Sequence, residues 1–186
     1  MRVIAGIFRS RQLKGKPPEG TRPTSDKLRE TLFNVLGPAV QDAVFLDGFA
    51  GIGGIGIEAL SRGARAVYFV DRSRKAWSII RENLLSLQVT EGVRVLEASM
   101  DRSLDFFERD GVVFDIVFLD PPYEREALYT ECLSEFSKRP LLAENGLLIM
   151  EHSKRVELPE VAGKLRRYRQ LTQGDSTLSF YRTEHD

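Results

Sequence analysis

A chain of 186 residues, 42% apolar and 29% charged, has room for one compact domain with a small appendage, at roughly 150 residues per domain. Its composition is that of an ordinary globular protein, which excludes a disordered or membrane-embedded chain. The 27 basic and 27 acidic side chains cancel, apolar stretches break within about eight residues where a membrane helix needs ~20, and the start lacks a signal-peptide core, so no membrane association and a cytoplasmic location are expected.

The charge balance is uneven along the chain. Residues 1–29 carry eight basic against two acidic side chains, residues 30–153 carry 12 against 20, and residues 154–186 carry seven against five. Residues 1–38 therefore read as a basic arm and helix preceding a main domain over 39–186. Within the arm, Arg9, Arg11, Lys14, Lys16 and Arg22 suit a polyanion, although the same charges also suit a solvated loop. Thr24 or Ser25 can cap a helix bearing Leu28, Leu32, Val35 and Leu36 at helical spacing, which Gly37-Pro38 ends.

Beyond residue 38, short β-branched or aromatic runs alternate with longer helical ones. Strands are expected at Ala43–Leu46, Val67–Val70, Val93–Leu96, Asp115–Leu119 and Leu147–Met150, with helices at about 54–62, 73–87, 101–109 and 124–138. In the second of these helices Ala76, Trp77, Ile79, Ile80, Leu84 and Leu87 form a broad apolar face. Runs at about 164–171 and 177–182 form a terminal hairpin around Gln173-Gly174-Asp175. This order predicts an α/β fold with a doubly wound parallel sheet, whose loops after residues 47, 71, 97 and 119 converge at the carboxyl ends of the strands. Cys132, His152 and His185 are too scattered for a metal-ligand motif. No metal site is expected, and Cys132 and His152 read as structural.

The first strand runs into Asp47-Gly48-Phe49-Ala50-Gly51-Ile52-Gly53-Gly54-Ile55-Gly56, in which Gly51, Gly53 and Gly56 satisfy G-x-G-x-x-G, and Asp71 lies 20 residues past Gly51 at the end of the second strand. In a strand-turn-helix context this marks a nucleotide-type cofactor, with Asp71 as the ribose acceptor. The bland alternative is a glycine turn with an incidental aspartate. Ile57-Glu58 stands where a P-loop needs Lys and Ser or Thr, and Asp47 would repel a pyrophosphate. A carboxylate there suits the ammonium and sulfonium of S-adenosylmethionine, so the reading leans to methyl transfer.

The fourth strand ends in Asp120-Pro121-Pro122-Tyr123. Asp-Pro-Pro can simply end a strand. Two prolines also remove two backbone donors, so that carbonyl oxygens and the Asp120 carboxylate form an acceptor-only array suited to an exocyclic amino group on a planar ring. Such an amine is a poor nucleophile that must be oriented, and Tyr123 would stack on its base once that base has left its own stack.

With these residues in place the chain resembles the RsmD-type methyltransferases, which modify the exocyclic amino group (N2) of a guanine in bacterial 16S ribosomal RNA. The likeness runs from Arg2-Val3-Ile4-Ala5-Gly6 through Arg22-Pro23-Thr24, Arg29-Glu30-Thr31-Leu32-Phe33-Asn34, Phe49-Ala50-Gly51 and Gly56-Ile57-Glu58-Ala59-Leu60-Ser61-Arg62-Gly63-Ala64 to Leu119-Asp120-Pro121-Pro122-Tyr123 and Gly174-Asp175-Ser176-Thr177. It implies a Rossmann-like S-adenosylmethionine-dependent fold with a small N-terminal β-hairpin and helix extension. It further implies 16S rRNA or the small ribosomal subunit as partner. Asp120, Pro121 and Tyr123 would hold the base; Asp47, Gly51, Gly53 and Asp71 the cofactor; Arg22 and Thr24 would face both.

Several departures stand out. The family often has Gly-Ser-Gly at Gly51-Ile52-Gly53 and Leu at Gly48, and the acid that often follows the third strand to hold the adenine amino group is Ser99 here, which leaves Ser99, the Met100 backbone or Asp101 to do that work. Two rival activities are a DNA adenine or cytosine amino-methyltransferase and a non-catalytic RNA-binding protein on the same fold. Oligomeric state has no signal in the sequence.

Overall fold

The computed structural model describes residues 1–15 and 25–184. The helix expected after the arm, α1 (Asp26–Leu36), is capped by Ser25, whose hydroxyl accepts from Leu28 N, and a 3-10 turn at Gly37–Val40 follows it. Then come β1 (Val44–Gly48), α2 (Gly54–Ser61), β2 (Ala66–Asp71), α3 (Arg74–Ser86), β3 (Val93–Glu97), α4 (Met100–Arg109), β4 (Phe114–Leu119), α5 (Ala127–Lys138), β5 (Leu142–Ser153), β6 (Val161–Ala162), β7 (Leu165–Gln173) and β8 (Ser176–Thr183). They build one sheet in the order β3-β2-β1-β4-β5-β8-β7-β6. The first five strands are parallel and the last three antiparallel. The chain reverses direction of travel between β1 and β4, which is where a doubly wound sheet opens a crevice.

Both faces of the sheet are covered, because alternate residues of each strand point to opposite sides. Phe45, Phe69, Ile116, Phe118 and Ile149 pack with α1, α2 and α3 on one face. Leu46, Val70, Val117, Leu119, Leu148 and Met150 pack with α4 and α5 on the other. Three boundaries depart from expectation. The fifth strand begins at Leu142, with a register shift between Phe114 and Ile116 of β4 that absorbs Glu144-Asn145-Gly146. The last long helix starts at Ala127, since residues 123–126 are still turning after Pro121-Pro122. The two-residue β6 is too short to leave a pattern in sequence.

The expected N-terminal hairpin is reduced to one antiparallel bridge between Arg2 and Gln12. It is docked rather than free. Val3 and Leu13 join the core, and the buried Glu58 carboxylate of α2 accepts from Ile4 N at 2.8 Å and Ala5 N at 3.0 Å. At the tip, Ile7 N and Phe8 N donate to Ser61 O and Oγ. Gly6 sits at φ +82, where a Cβ would stand 1.8 Å from Ser61 O, so only glycine fits. The return leg climbs α3, with Arg11 Nη2 donating to Ser86 O and Lys14 N to Asn83 Oδ1. Ser61 and Ser86 end α2 and α3, so the tip lies at the pole opposite the carboxyl ends of the strands.

Candidate active site

The turn after β1 is held open by two carboxylates acting on backbone amides. Asp47, buried at the strand end, accepts from Gly56 N at 2.8 Å. Asp71 accepts from Gly51 N at 2.9 Å through one oxygen and from Ser73 N at 2.8 Å through the other. Phe49 and Gly51 adopt left-handed φ of 62° and 57°, which peels the chain off the sheet and into α2. Burial pushes the Asp47 carboxyl up to about 8, against the opposing pull of the Gly56 amide and with help from the Asp71 charge.

Across the crevice, Asp120 N donates to Gly48 O, tying the end of β4 to the end of β1. Burial raises the Asp120 carboxyl well above the usual range, reinforced by the negative charges of Glu151 and Asp47. Glu151 is itself buried and follows Met150, which is in register with Leu119. The Tyr123 hydroxyl meets Ser176 Oγ at 3.0 Å, so the ring is tethered to the β7–β8 turn, and the closing Gly174-Asp175-Ser176-Thr177 run acquires a role in the site.

Asp47, Gly51, Asp71, Ser99, Met100, Asp120, Pro121 and Tyr123 all line one cleft of about 1220 Å³, large beside the ~300–1,000 Å³ of ordinary ligand pockets. Ala98 and Asp101 line it as well, and the neighbouring Ser99 hydroxyl holds the Asp101 carboxyl below its ordinary value. Gly53 does not line the cleft. It caps α2 at φ 81, with its open side toward Ile80 and Phe69. The arm cations are also outside the cleft: Arg9 is exposed at the far pole, Arg11 is bonded to Ser86, and Lys14 Nζ lies 3.7 Å from Glu82. Lys16, Arg22 and Thr24 lie outside the described residues.

Sequence reading missed Met1, Arg29 and Phe49, which line the cleft too. Arg29 falls three and four residues before Leu32 and Phe33, so the helical period places it on the buried face, a spacing that a count of charges does not show. His152 is buried with Nε2 2.9 Å from Ser179 Oγ, and burial lowers its pKa. The buried Cys132 thiol is pushed up to about 12 by burial. Cys132 stands among the residues lining the cleft, and His152 does not. No helix among the described residues is long and apolar enough to cross a membrane.

A glycine turn with acidic walls accepts a ligand that is cationic at one end and carries a ribose at the other, and that donor set fits S-adenosylmethionine. The fold and this cleft define the class of S-adenosylmethionine-dependent methyltransferases. Within that class the chain belongs to the family described as Conserved hypothetical protein 95, which matches residues 1–182. Ribosomal RNA small subunit methyltransferase D of Haemophilus influenzae is 39% identical over 157 residues, spanning 83% of this chain and 79% of that one. Its Escherichia coli namesake is 34% identical over 184 residues, 99% and 90% of the two chains. The solved Escherichia coli chain yhhF superposes with a TM-score of 0.84 at 34% identity, covering 99% of this chain and 98% of its own.

Proposed function

We propose that this protein methylates the exocyclic amino group, N2, of a guanine in 16S ribosomal RNA, presented as RNA or as a small-subunit particle. The names of the relatives support the RNA class, and the chemistry of the base site supports the amino group. One observation carries the reading: the acceptor-only Asp120-Pro121-Pro122 segment, with Tyr123 tethered to Ser176, faces the same cleft as the glycine turn. We further propose residues 1–38 as an RNA-facing extension of the domain over 39–186.

In this reading S-adenosylmethionine, when bound, supplies a methyl group activated by a sulfonium. Asp47 balances the positive end of the cofactor, Asp71 accepts from its ribose, and Gly51 lets the backbone come close. Gly53 acts through the conformation of the turn. Ser99, the Met100 backbone or Asp101 accepts from the adenine amino group, and Thr24 belongs with the cofactor-binding residues in this proposal. On the substrate side, Tyr123 stacks on the guanine, a contact worth ~1–3 kcal/mol. The two amine N–H groups donate to Asp120 and the Pro121 carbonyl, which aims the nitrogen lone pair along the line of transfer. Such orientation can supply up to ~7–11 kcal/mol of the barrier. Asp120 also stabilises the charge that develops on nitrogen and takes the proton that the product releases.

The test is to incubate the protein and labelled S-adenosylmethionine with small-subunit particles lacking their modifications, with naked 16S RNA and with DNA, and to map any methylated base. Label at guanine N2 is expected. Transfer to DNA alone, or to none of the three despite cofactor binding, would remove the reading.

A further inference from the structure

Among the described residues Arg29 is the largest fully buried side chain, and it is a charged one with most of its donors unused. Nη2 donates to Arg2 O at 2.7 Å and to Asp26 Oδ1 at 2.8 Å. Nε and Nη1 are buried without a hydrogen-bond partner among the described residues. On the Nη1 side the Glu58 carboxylate keeps Oε2 3.9 Å away, beyond hydrogen-bond reach, and spends its oxygens on Ile4 N, Ala5 N and Arg62 Nε. Buried charged donors are costly to leave unsatisfied, so each that persists calls for an explanation such as strain, a role in a site or a bound water or ion.

The position of these two donors names the ligand group they would take. Arg29 lines the cleft together with Gly54 and Ile55. A Cβ built on Gly54 would stand 3.8 Å from Arg29 Nη1, which puts the guanidinium beside the first residue of α2. The first turn of that helix carries no acidic side chain, so helix end and guanidinium present the same positive sign at one spot. Asp47 presents the opposite sign on the neighbouring wall. A zwitterion with an ammonium and a carboxylate on one carbon matches that pair of walls. A fully buried guanidinium also selects for a small anion over a phosphate carried in a polymer backbone.

Building on the cofactor placement proposed above, we propose that Arg29 binds the α-carboxylate of S-adenosylmethionine through Nε and Nη1, and so selects cofactors that retain the amino-acid carboxylate.

The test uses the full chain and titration calorimetry, with S-adenosylhomocysteine and its decarboxylated analogue as probes. The wild-type protein should bind the decarboxylated analogue roughly 10- to 100-fold more weakly, the range for charge-assisted hydrogen bonds. Arg29→Met should bind both probes alike. Arg29→Lys, which keeps a cation beside Glu58, should retain part of the preference and provides a folded variant if Arg29→Met does not fold. Equal affinity of the wild type for the two probes would overturn this inference while leaving the cofactor site intact. A preference that survives in both variants would overturn it too, by assigning the carboxylate to another group. Failure of the wild type to bind S-adenosylhomocysteine at all would overturn both this inference and the cofactor placement beneath it.

Discussion

Asp120 and Asp47 are two carboxyl groups raised by burial in one cleft, and their protonation sets what each can do. Asp120→Ala should lower methyl transfer at least ~10²–10³-fold, the scale for losing one aligned polar group at a reacting centre, while S-adenosylhomocysteine affinity stays within a few-fold. Single-turnover rates alongside calorimetry check this, and near-normal turnover would sink the proposed base-holding role. Asp47 titrates at about 8 in the free protein, so at neutral pH it is largely protonated. A cationic cofactor favours the carboxylate, hence binding at pH 7 should release a proton and tighten as pH rises toward 8. Calorimetry in two buffers of different ionisation heat reads that release, and Asp47→Asn should abolish it. The linkage to stability has the opposite sense: a carboxyl raised in the folded state keeps a proton that the unfolded chain has lost, so the ligand-free protein should lose stability as pH climbs from about 4 to about 8. Gly48 shows how one departure from the family is accommodated, since a Cβ there would meet Leu119 Cδ2 at 2.4 Å and Met100 Cε at 2.6 Å. Those two side chains occupy the space a larger residue would need.

Among the elements, α2 does most to join arm to domain, because Glu58 is wholly buried and bonded to two arm amides and to Arg62. Removing one partner of a buried charged network costs ~3–5 kcal/mol. Glu58→Ala should therefore show a loss of that order in urea unfolding, and limited proteolysis should cut within residues 1–15 first. Retained stability with an uncut arm would mean that Val3 and Leu13 alone hold it. The parallel strands and α3 were legible because their apolar residues recur at the period of the element, and the convergence of the loops after β1, β2, β3 and β4 followed from winding rules. Less visible were features that depend on partners distant in sequence. The first half of β5 contains Glu144-Asn145-Gly146, which reads as a turn until β4 supplies a shifted register. Glu58 carries no local signature of burial, whereas Arg29 is legible only through its helical spacing to Leu32 and Phe33. The glycine turn was recognised as a whole, yet only the backbone geometry separates Gly51, which lines the cleft, from Gly53, which shapes the turn.

At the scale of the molecule, carboxylates outnumber guanidiniums along the cleft. The cleft gathers carboxylates at the carboxyl ends of the strands, while Arg9 and Arg11 sit by the last residues of α2 and α3. If RNA wraps from cleft to far pole, replacing Arg9, Arg11, Lys14 and Lys16 by Ala should flatten the salt slope of binding by about 3, at about 0.7–0.9 per phosphate contact, and weaken affinity without changing cofactor binding. An unchanged slope would confine the footprint to the cleft side. The docking of the arm has a temporal meaning as well. Its hydrogen bonds join Ile4 to Glu58, Phe8 to Ser61 and Lys14 to Asn83, separations of 54, 53 and 69 residues, so no partner exists until α2 and α3 have formed. The arm, made before α2 and α3, must then wait for both before it finds its place. In pulsed hydrogen exchange during refolding, the amides of Ile4, Ala5 and Phe8 should gain protection after those of β1 and β2; simultaneous protection would mean that arm and sheet form as one unit.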